Sequence, residues 1–491
     1  MKRIIFLFLI YGYLSASSQN NHNPVLEFTL QDVIDLALKQ SPDILNARHT
    51  FRSKYWAYVS YKANYLPSLN FSSTPYFNHS INAITQSDGT ETYVSQNQLR
   101  TNAKLSIDQN IALTGGTLSL YTNLDRIDAL DNKTHTYKST PIQIYYTQPL
   151  FGYNSLKWDK MIEPLRFEEA KKNYVEMREA VAVKAVSKFF NLALAQSNVK
   201  SAEINYENAK TLYSYAQGRY NIGTISENEI LQLEINMLSA ETSLMNYSLL
   251  LDDYMEDLRS YLRISDTHLI SLIIDDQISL KQIDMTSALQ HSIENSPDMI
   301  YIERIKKESD NNVAYVKGNT GFRANLGLQF GLAQTSRDLE QAYRNLKNEQ
   351  IISVSISFPI LDWERDKGKV EVAKSSRDLI YAQAEQDRKD FEMNIIKLVK
   401  QFNLQPNTLS VAYKQDQTAE KRSEVARSLY MSGKSTILDL NSSIEEKDSA
   451  RRNYINTIFN YWHLYYTLRM YTLYDFEKDI IITEDYKELL K

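Results

Sequence analysis

Cysteine is absent from all 491 residues. Disulfide staples, thiolate metal sites and acylation at a lipoprotein cysteine are thereby excluded, so only non-covalent packing holds the fold. Long apolar runs are lacking too: nothing beyond the leader approaches the roughly 18 consecutive apolar residues of a membrane-spanning helix. Tryptophan is scarce, at 4 residues against 34 tyrosines, and tyrosine suits both a core and a surface with one wet and one apolar side. Positive charge is not in excess. Taking Lys2 and Arg3 of the leader from 55 basic residues leaves 53 against 60 acidic ones, a formal charge of −7, which argues against nucleic acid as a partner.

Catalytic signatures are missing as well. His22, His49, His79, His135, His268, His291 and His463 are scattered without HExxH or similar metal spacing. No GxSxG elbow, Walker loop, dinucleotide fingerprint or calcium loop occurs. Asp252, Asp253, Glu256 and Asp257 read as a solvated helix face. The sequence therefore gives no enzyme and implies no cofactor or metal.

What is present begins with MKRIIFLFLIYGYLSASSQ. A basic start, an apolar stretch and small residues at Ala16 and Ser18 read as a secretory signal over 1–18, too short in its apolar part to be an anchor.

The rest is written twice. Ser41-Pro42-Asp43 recurs as Ser296-Pro297-Asp298 at an offset of 255. IQIYYTQPLF (142–151) recurs as ISVSISFPIL (352–361), and YNIGTISENEIL (220–231) as YMSGKSTILDLN (430–441), both at an offset of 210. A tandem repeat is expected. The first copy covers 19–265, a linker covers 266–283, the second copy covers 284–473 and a tail 474–491. The first copy holds 45 extra residues between Asn70 and Pro149, mostly a hairpin turning at Gly115-Gly116.

Each copy opens with a helix that restarts at Pro42 or Pro297; Thr29 caps the first. The period then shifts from 3.6 to 2. Phe322, Ala324, Leu326, Leu328 and Phe330 alternate with polar or small residues, as do Ile352, Val354, Ile356 and Phe358 with serines. Strands with one apolar and one polar face are expected over about 68–150 and 320–361. Helical hairpins follow, over 156–265 and 364–473. Some 65 helical residues would run roughly 100 Å at 1.5 Å each, so a long shaft is expected. Ile230, Leu233, Met237, Ala240, Leu244 and Tyr247 begin a heptad seam that continues to Tyr261. Lys447 and Arg451 interrupt its second copy. Gly223 and Gly433 break helix from helix.

Four to six strands cannot enclose a water-filled lumen alone, so several copies would pool them. A half-buried soluble sheet is the bland alternative. Tyr145, Tyr146, Phe151 and Trp363 near the strand ends suit interfacial girdles.

This order of parts, with the strand endings QPLF and FPIL and the turns YNIG and YMSG, resembles the TolC family of outer-membrane efflux proteins from about Phe28 to Tyr474, most similar to Bacteroides-like forms. The resemblance implies an α+β membrane protein, a homotrimer joining a coiled-coil α-helical barrel in the periplasm to a transmembrane antiparallel β-barrel of twelve strands in outer-membrane lipid. It implies an exit duct of a tripartite efflux or type I secretion system, with a periplasmic adaptor (membrane fusion protein) and an inner-membrane RND or ABC transporter as partners. The added hairpin would extend outside the cell or enlarge the barrel to eighteen strands. A periplasmic coiled-coil scaffold or adaptor without a barrel is the alternative, disfavoured by the duplication.

Carried over residue by residue, the resemblance puts adaptor-binding tips at Ile222, Gly223 and Thr224 and at Ser432, Gly433 and Lys434. It puts a periplasmic gate at Glu229, Tyr430 and Asp439. The family's gate arginine is Ser435 here and a further aspartate is Ser442, which leaves Lys434 or Arg427 as the gate's cation. Glu229 and Asp439 equally read as solvated helix-start carboxylates, and Tyr430 as seam packing.

Overall fold

A computed structural model describes residues 25–265, 269–275 and 281–490. The leader over 1–18 lies outside them, as do His22, His268 and residues 266–268 and 276–280 of the linker. The described residues form two compact units, one from 25–44, 181–265, 269–275 and 405–463, the other from 45–180, 281–404 and 464–490.

The first unit pairs the opening of the first copy with the linker. Strand β1 (Val25–Thr29) lies parallel to a strand in the linker region, Leu269–Ile273. Gln196 clasps the latter, donating to the Ile270 carbonyl at 2.6 Å and accepting from the Leu272 N–H at 3.2 Å. Helix α1 (Leu30–Gln40) starts at Thr29 through a capping box with Asp32, which satisfies two N–H groups a helix start would leave bare.

Helix α2 (Pro42–Ala63) restarts directly after α1 and belongs to the second unit from Leu45 onward. The second copy repeats the device in α5 (Met285–Asn295) and α6 (Pro297–Asn319). There Ser296 ends one helix and its hydroxyl caps the next at Asp298 N–H, 3.1 Å away, with Pro297 at the first helical position. Proline is tolerated there because its missing N–H would have had no helical partner.

Seven strands form one antiparallel sheet: β2 (Ser68–Ser72), β3 (Tyr76–Thr85), β4 (Glu91–Ile111), β5 (Gly116–Ala129), β6 (Thr134–Leu150), β8 (Arg323–Ser336) and β9 (Lys347–Ser357), with β7 being the linker strand Leu269–Ile273. Both β2 and β3 pair with β4, so they act as one interrupted strand and the sheet has six rows. Side chains alternate between faces along each strand. One register row crosses the sheet as Leu69, Ile107, Leu120, Ile144, Phe330 and Gln350; the adjacent one crosses as Asn70, Ser106, Tyr121, Gln143, Gly331 and Glu349. The apolar members of the first row are 39 to 67% exposed. Hydrogen bonds knit the second row's face, among them Asn70 to Asp108 at 2.9 Å and Gln143 to Glu349 at 3.0 Å. Within the chain the sheet is open, with β2/β3 and β9 as its edges.

The inserted hairpin β4–β5 is built into this sheet, between β2/β3 and β6. Its turn sits beside the start of the first long helix: Asn154 donates to the Ala112 carbonyl at 2.9 Å, and Asn110 to the Asn64 carbonyl at 3.0 Å. An extension of this turn away from the sheet, on the side remote from the helices, is thereby excluded.

The long helices are α3 (Ser155–Asn221), α4 (Glu227–Leu262), α7 (Arg365–Met431) and α8 (Ile437–Thr472). Both α3 and α7 contribute segments to both units. Pro164 and Pro406 lie inside them without ending them. In the second unit the tail seals the end of α8. Arg469 pairs with Glu179 and Asp475, each at 3.0 Å, and the Tyr465 hydroxyl donates to Asp475 at 2.8 Å. The strands β10 (Tyr474–Asp475) and β11 (Ile480–Ile481) close the tail upon itself, and His291 stacks on Tyr474 with ring centroids 3.9 Å apart. Part of the tyrosine richness is thus core: Tyr461, Tyr465 and Tyr466 are buried.

Candidate functional site: the two helical turns

The repeated phrase forms two turns of the same construction, both in the first unit. Gly223 has φ +73° and Gly433 φ +74°, a conformation that costs a side-chain-bearing residue about 1–2 kcal/mol. At the first turn, Gly223 N–H donates to the Tyr220 carbonyl at 2.8 Å and Thr224 N–H to the Arg219 carbonyl at 2.9 Å. At the second, Gly433 donates to Tyr430 and Lys434 to Leu429, both at 2.9 Å. This pair of bonds is a Schellman motif, which satisfies carbonyls left free at a helix end. Outside the backbone the glycines meet open space: a Cβ added at either would find nothing within 4 Å. Ile222, Thr224, Ser432 and Lys434 are exposed around them.

The returning helices start alike. Ser226 caps α4, accepting from Glu229 N–H at 3.3 Å. Thr436 does the same for Asp439 N–H at 3.2 Å. The two carboxylates then part company. Asp439 turns back onto its own helix start and accepts from the Thr436 hydroxyl at 2.7 Å, the Thr436 N–H at 3.3 Å and the Ser435 hydroxyl at 3.2 Å. Those bonds, the Thr436 hydroxyl first, hold its carboxyl below the ordinary aspartate range. Glu229 instead accepts from the Tyr430 hydroxyl, at 3.4 Å. Burial first, and the Glu229 charge second, push the Tyr430 phenol up.

Tyr430 is also a packing residue. Its ring belongs to a buried cluster with Leu212, Ala216, Leu233 and Leu440, flanked by Ile225, Ile437 and Ile444. One end of this tyrosine packs and the other bonds to Glu229. Asp439 meets neither Glu229 nor Tyr430. Lys434 and Arg427 are exposed. The cation that Asp439 feels is Arg422, itself paired with Glu446. The caps Ser226 and Thr436 were not singled out in the sequence. Their signal was there, as a serine or threonine three residues before a carboxylate at each helix start.

Along α4 the heptad seam turns inward at Leu233 and Leu258, both fully buried. A second stripe, Leu231, Ile235, Leu238, Met245 and Leu249, runs at alternating four- and three-residue steps once Thr242 is counted. Its apolar members are 50 to 63% exposed.

Among the described residues no group of histidine, aspartate and glutamate is arranged to hold a metal, and no helix is long and apolar enough to cross a membrane. Residues 33–262 match the family model described as outer membrane efflux protein. That stretch belongs to the outer membrane efflux protein family. Its span includes the insertion hairpin, the first turn with Ile222, Gly223 and Thr224, and Glu229. The second turn lies beyond it. No curated protein matches the sequence. Among solved structures, the Campylobacter jejuni CmeC outer membrane channel aligns at TM-score 0.66 and 17% identity, over 100% of this chain and 98% of that one. The Vibrio cholerae outer membrane protein VceC aligns at 0.63 and 14%, over 90% and 95%. The Neisseria gonorrhoeae MtrE outer membrane channel aligns at 0.58 and 13%, over 90% and 88%. At such identities the likeness is one of fold.

Proposed function

We propose that this protein is an outer-membrane efflux channel, the passive exit duct of a tripartite efflux or type I secretion system. The observation that carries the reading is the sheet: an exposed apolar row on one face, backed by a hydrogen-bonded polar face. In water such a band would be a liability, whereas in a bilayer the apolar face meets lipid and the polar face a lumen. The strands β5, β6, β8 and β9 hold 14, 17, 14 and 11 residues, enough for the roughly 9–11 that a tilted membrane strand needs. The matching family stretch and the fold of known outer membrane channels support the same reading.

An open sheet cannot stay in a membrane with unpaired edges. We infer a homotrimer that closes the edges into one barrel in the outer membrane, with the helical hairpins on the periplasmic side. The exposed second stripe of α4 supports this, since it has the spacing of a helix waiting for another. The twin turns would then give six similar tips. We infer that Ile222, Gly223, Thr224, Ser432, Gly433 and Lys434 receive a periplasmic adaptor that links the channel to an RND or ABC transporter, and that Glu229 with Tyr430 braces the gate. Asp439 is a charge at the same level, held in place by its cap. Chemistry on the substrate would belong to the pump, and the channel would have no catalytic residue.

The test is extraction of the mature protein from outer membranes, native mass in mild detergent, and conductance in a planar bilayer. A trimer soluble only with detergent, forming ion-conducting pores, is expected. A monomer soluble without detergent would overturn the channel and leave a periplasmic scaffold.

A further inference from the structure

The insertion hairpin gives this sheet two more rows than the four that the family resemblance implies for each protomer, and those rows carry the membrane pattern. Leu105 and Ile107 on β4, and Leu118 and Leu120 on β5, are exposed on the same face as Ile144. Ser106 and Ser119 lie on the opposite face. A hairpin standing in water would have no use for a lipid-phase alternation continuous with its neighbours. The turn offers a second, independent observation. Leu113 at its tip is 89% exposed, and the turn is tied by Asn154 to the foot of β6. Phe151, Phe322 and Phe358 line that same foot with ring centroids 6.2 and 6.3 Å apart. Exposed apolar and aromatic side chains at one end of a membrane sheet are the mark of the interface, so the turn lies at the rim of the bilayer.

Direction and parity settle how the edges close. β2/β3 runs away from the helices and β4 back, and the alternation continues through β5, β6 and β8 to β9, which runs back. Six rows end in the sense opposite to the one in which they began. The β9 edge of one copy therefore meets the β2/β3 edge of another copy antiparallel, as every other pair in the sheet does. The polar row reaches these edges as Asn70 and Glu349, and the apolar face carries Leu69 and Phe71 at one edge and Ile352 and Val354 at the other, among the more exposed apolar residues of the sheet.

We propose that the occupant of each open edge is a second copy of this chain and that all six rows of each protomer enter one shared barrel, giving eighteen strands. This rests on the trimeric channel reading above. Barrel diameter grows roughly linearly with strand number, so an eighteen-stranded ring is about half again as wide as a twelve-stranded one and leaves an aqueous lumen. The outer-membrane part of this duct would accordingly be wider than the twelve-stranded form that the family resemblance implies.

The natural absence of cysteine makes the test direct. Single variants Leu105→Cys, Ser106→Cys, Leu118→Cys and Ser119→Cys, with Gln143→Cys, Ile144→Cys and Val354→Cys as references, are spin-labelled in the full protein, reconstituted in phosphatidylcholine vesicles and relaxed by oxygen or by a nickel chelate. The expected result is an oxygen-favoured signal at Leu105, Leu118, Ile144 and Val354 and a nickel-favoured one at Ser106, Ser119 and Gln143, in a protein whose native mass is three copies. Nickel-favoured signals at both Leu105 and Leu118, with Ile144 and Val354 still in lipid, would overturn the eighteen-stranded barrel and leave the channel standing with twelve. Nickel-favoured signals at Ile144 and Val354 as well would overturn the membrane sheet itself, and the inference with it.

Discussion

The Tyr430 hydroxyl donates to the Glu229 carboxylate across 3.4 Å, joining the end of α7 in the second copy to the beginning of α4 in the first. The ring beneath that bond is buried among Leu212, Ala216, Leu233 and Leu440. Ring and hydroxyl can be separated by substitution. Tyr430→Phe keeps the packing and removes a long hydrogen bond, at about 1 kcal/mol or less. Tyr430→Ala also opens a cavity, at about 3–5 kcal/mol. Hydrogen exchange of the α7 and α4 ends should rise slightly in the first variant and strongly in the second, with pore conductance rising in the same order. Equal effects in both would mean that the hydroxyl, not the ring, holds the turns closed.

The two glycine turns make a second prediction, about docking. Since open space surrounds Gly223 and Gly433, Gly223→Ala or Gly433→Ala meets only the backbone strain of a positive φ, about 1 kcal/mol. Larger residues would crowd an incoming partner without disturbing the chain's own core. Gly223→Trp alone should leave adaptor crosslinking reduced, because three tips per trimer remain intact. Gly223→Trp with Gly433→Trp should abolish it while the native mass stays that of a trimer. Undiminished crosslinking in the double variant would move the adaptor site away from the turns.

How much of this was open to reading in the sequence depends on the range of the interaction. The glycine turns are local, fixed by a positive φ that few other residues tolerate, and so stand out in YNIG and YMSG. The alternation in FRANLGLQF is local too, because a strand's faces have a period of two. The partner of each strand is not local. That β4–β5 sits between β2/β3 and β6 follows from pairings such as Leu120 with Ile144, and alternation alone is compatible with a hairpin inside the sheet or beyond it. The parallel pairing of Val25–Thr29 with Leu269–Ile273 joins segments more than 240 residues apart, and no periodicity announces it. At the turns, Glu229 and Asp439 occupy equivalent helix-start positions, yet one reaches Tyr430 and the other caps itself. The difference comes from Thr436 and Ser435, whose hydroxyls capture Asp439.

A third prediction concerns the exposed stripe of α4. Ile235 and Leu238 are 57% and 51% exposed in the single chain, at positions where a neighbouring helix would cover them. Charge placed there would be desolvated on assembly and carries little penalty beforehand. Ile235→Asp with Leu238→Asp should therefore leave helix content unchanged and shift the native mass in mild detergent away from three copies. A stable trimer from the double variant would show that these residues face water in the assembly.

The last prediction is a pH dependence with its sign set by burial. Glu176, in α3 of the second unit, is pushed up to about 7 from an ordinary value of 4.5, first by burial and then by the nearby Asp298. The same two carboxylates, after burial, push the Tyr471 phenol up. Because the folded state holds this proton more tightly than the unfolded chain, folding is favoured fully below pH 4.5. That contribution is lost as pH rises from 4.5 to about 7, and the loss is complete above it. Glu176→Gln carries no charge to bury and removes the slope. The difference between the melting temperatures of the parent and Glu176→Gln proteins should thus be small at pH 4.5. It should widen in favour of the variant up to about pH 7 and then stay level. A difference that is flat across the whole range would mean that Glu176 is solvated, and that the carboxyl cluster beside Tyr471 is open to water in the assembled protein.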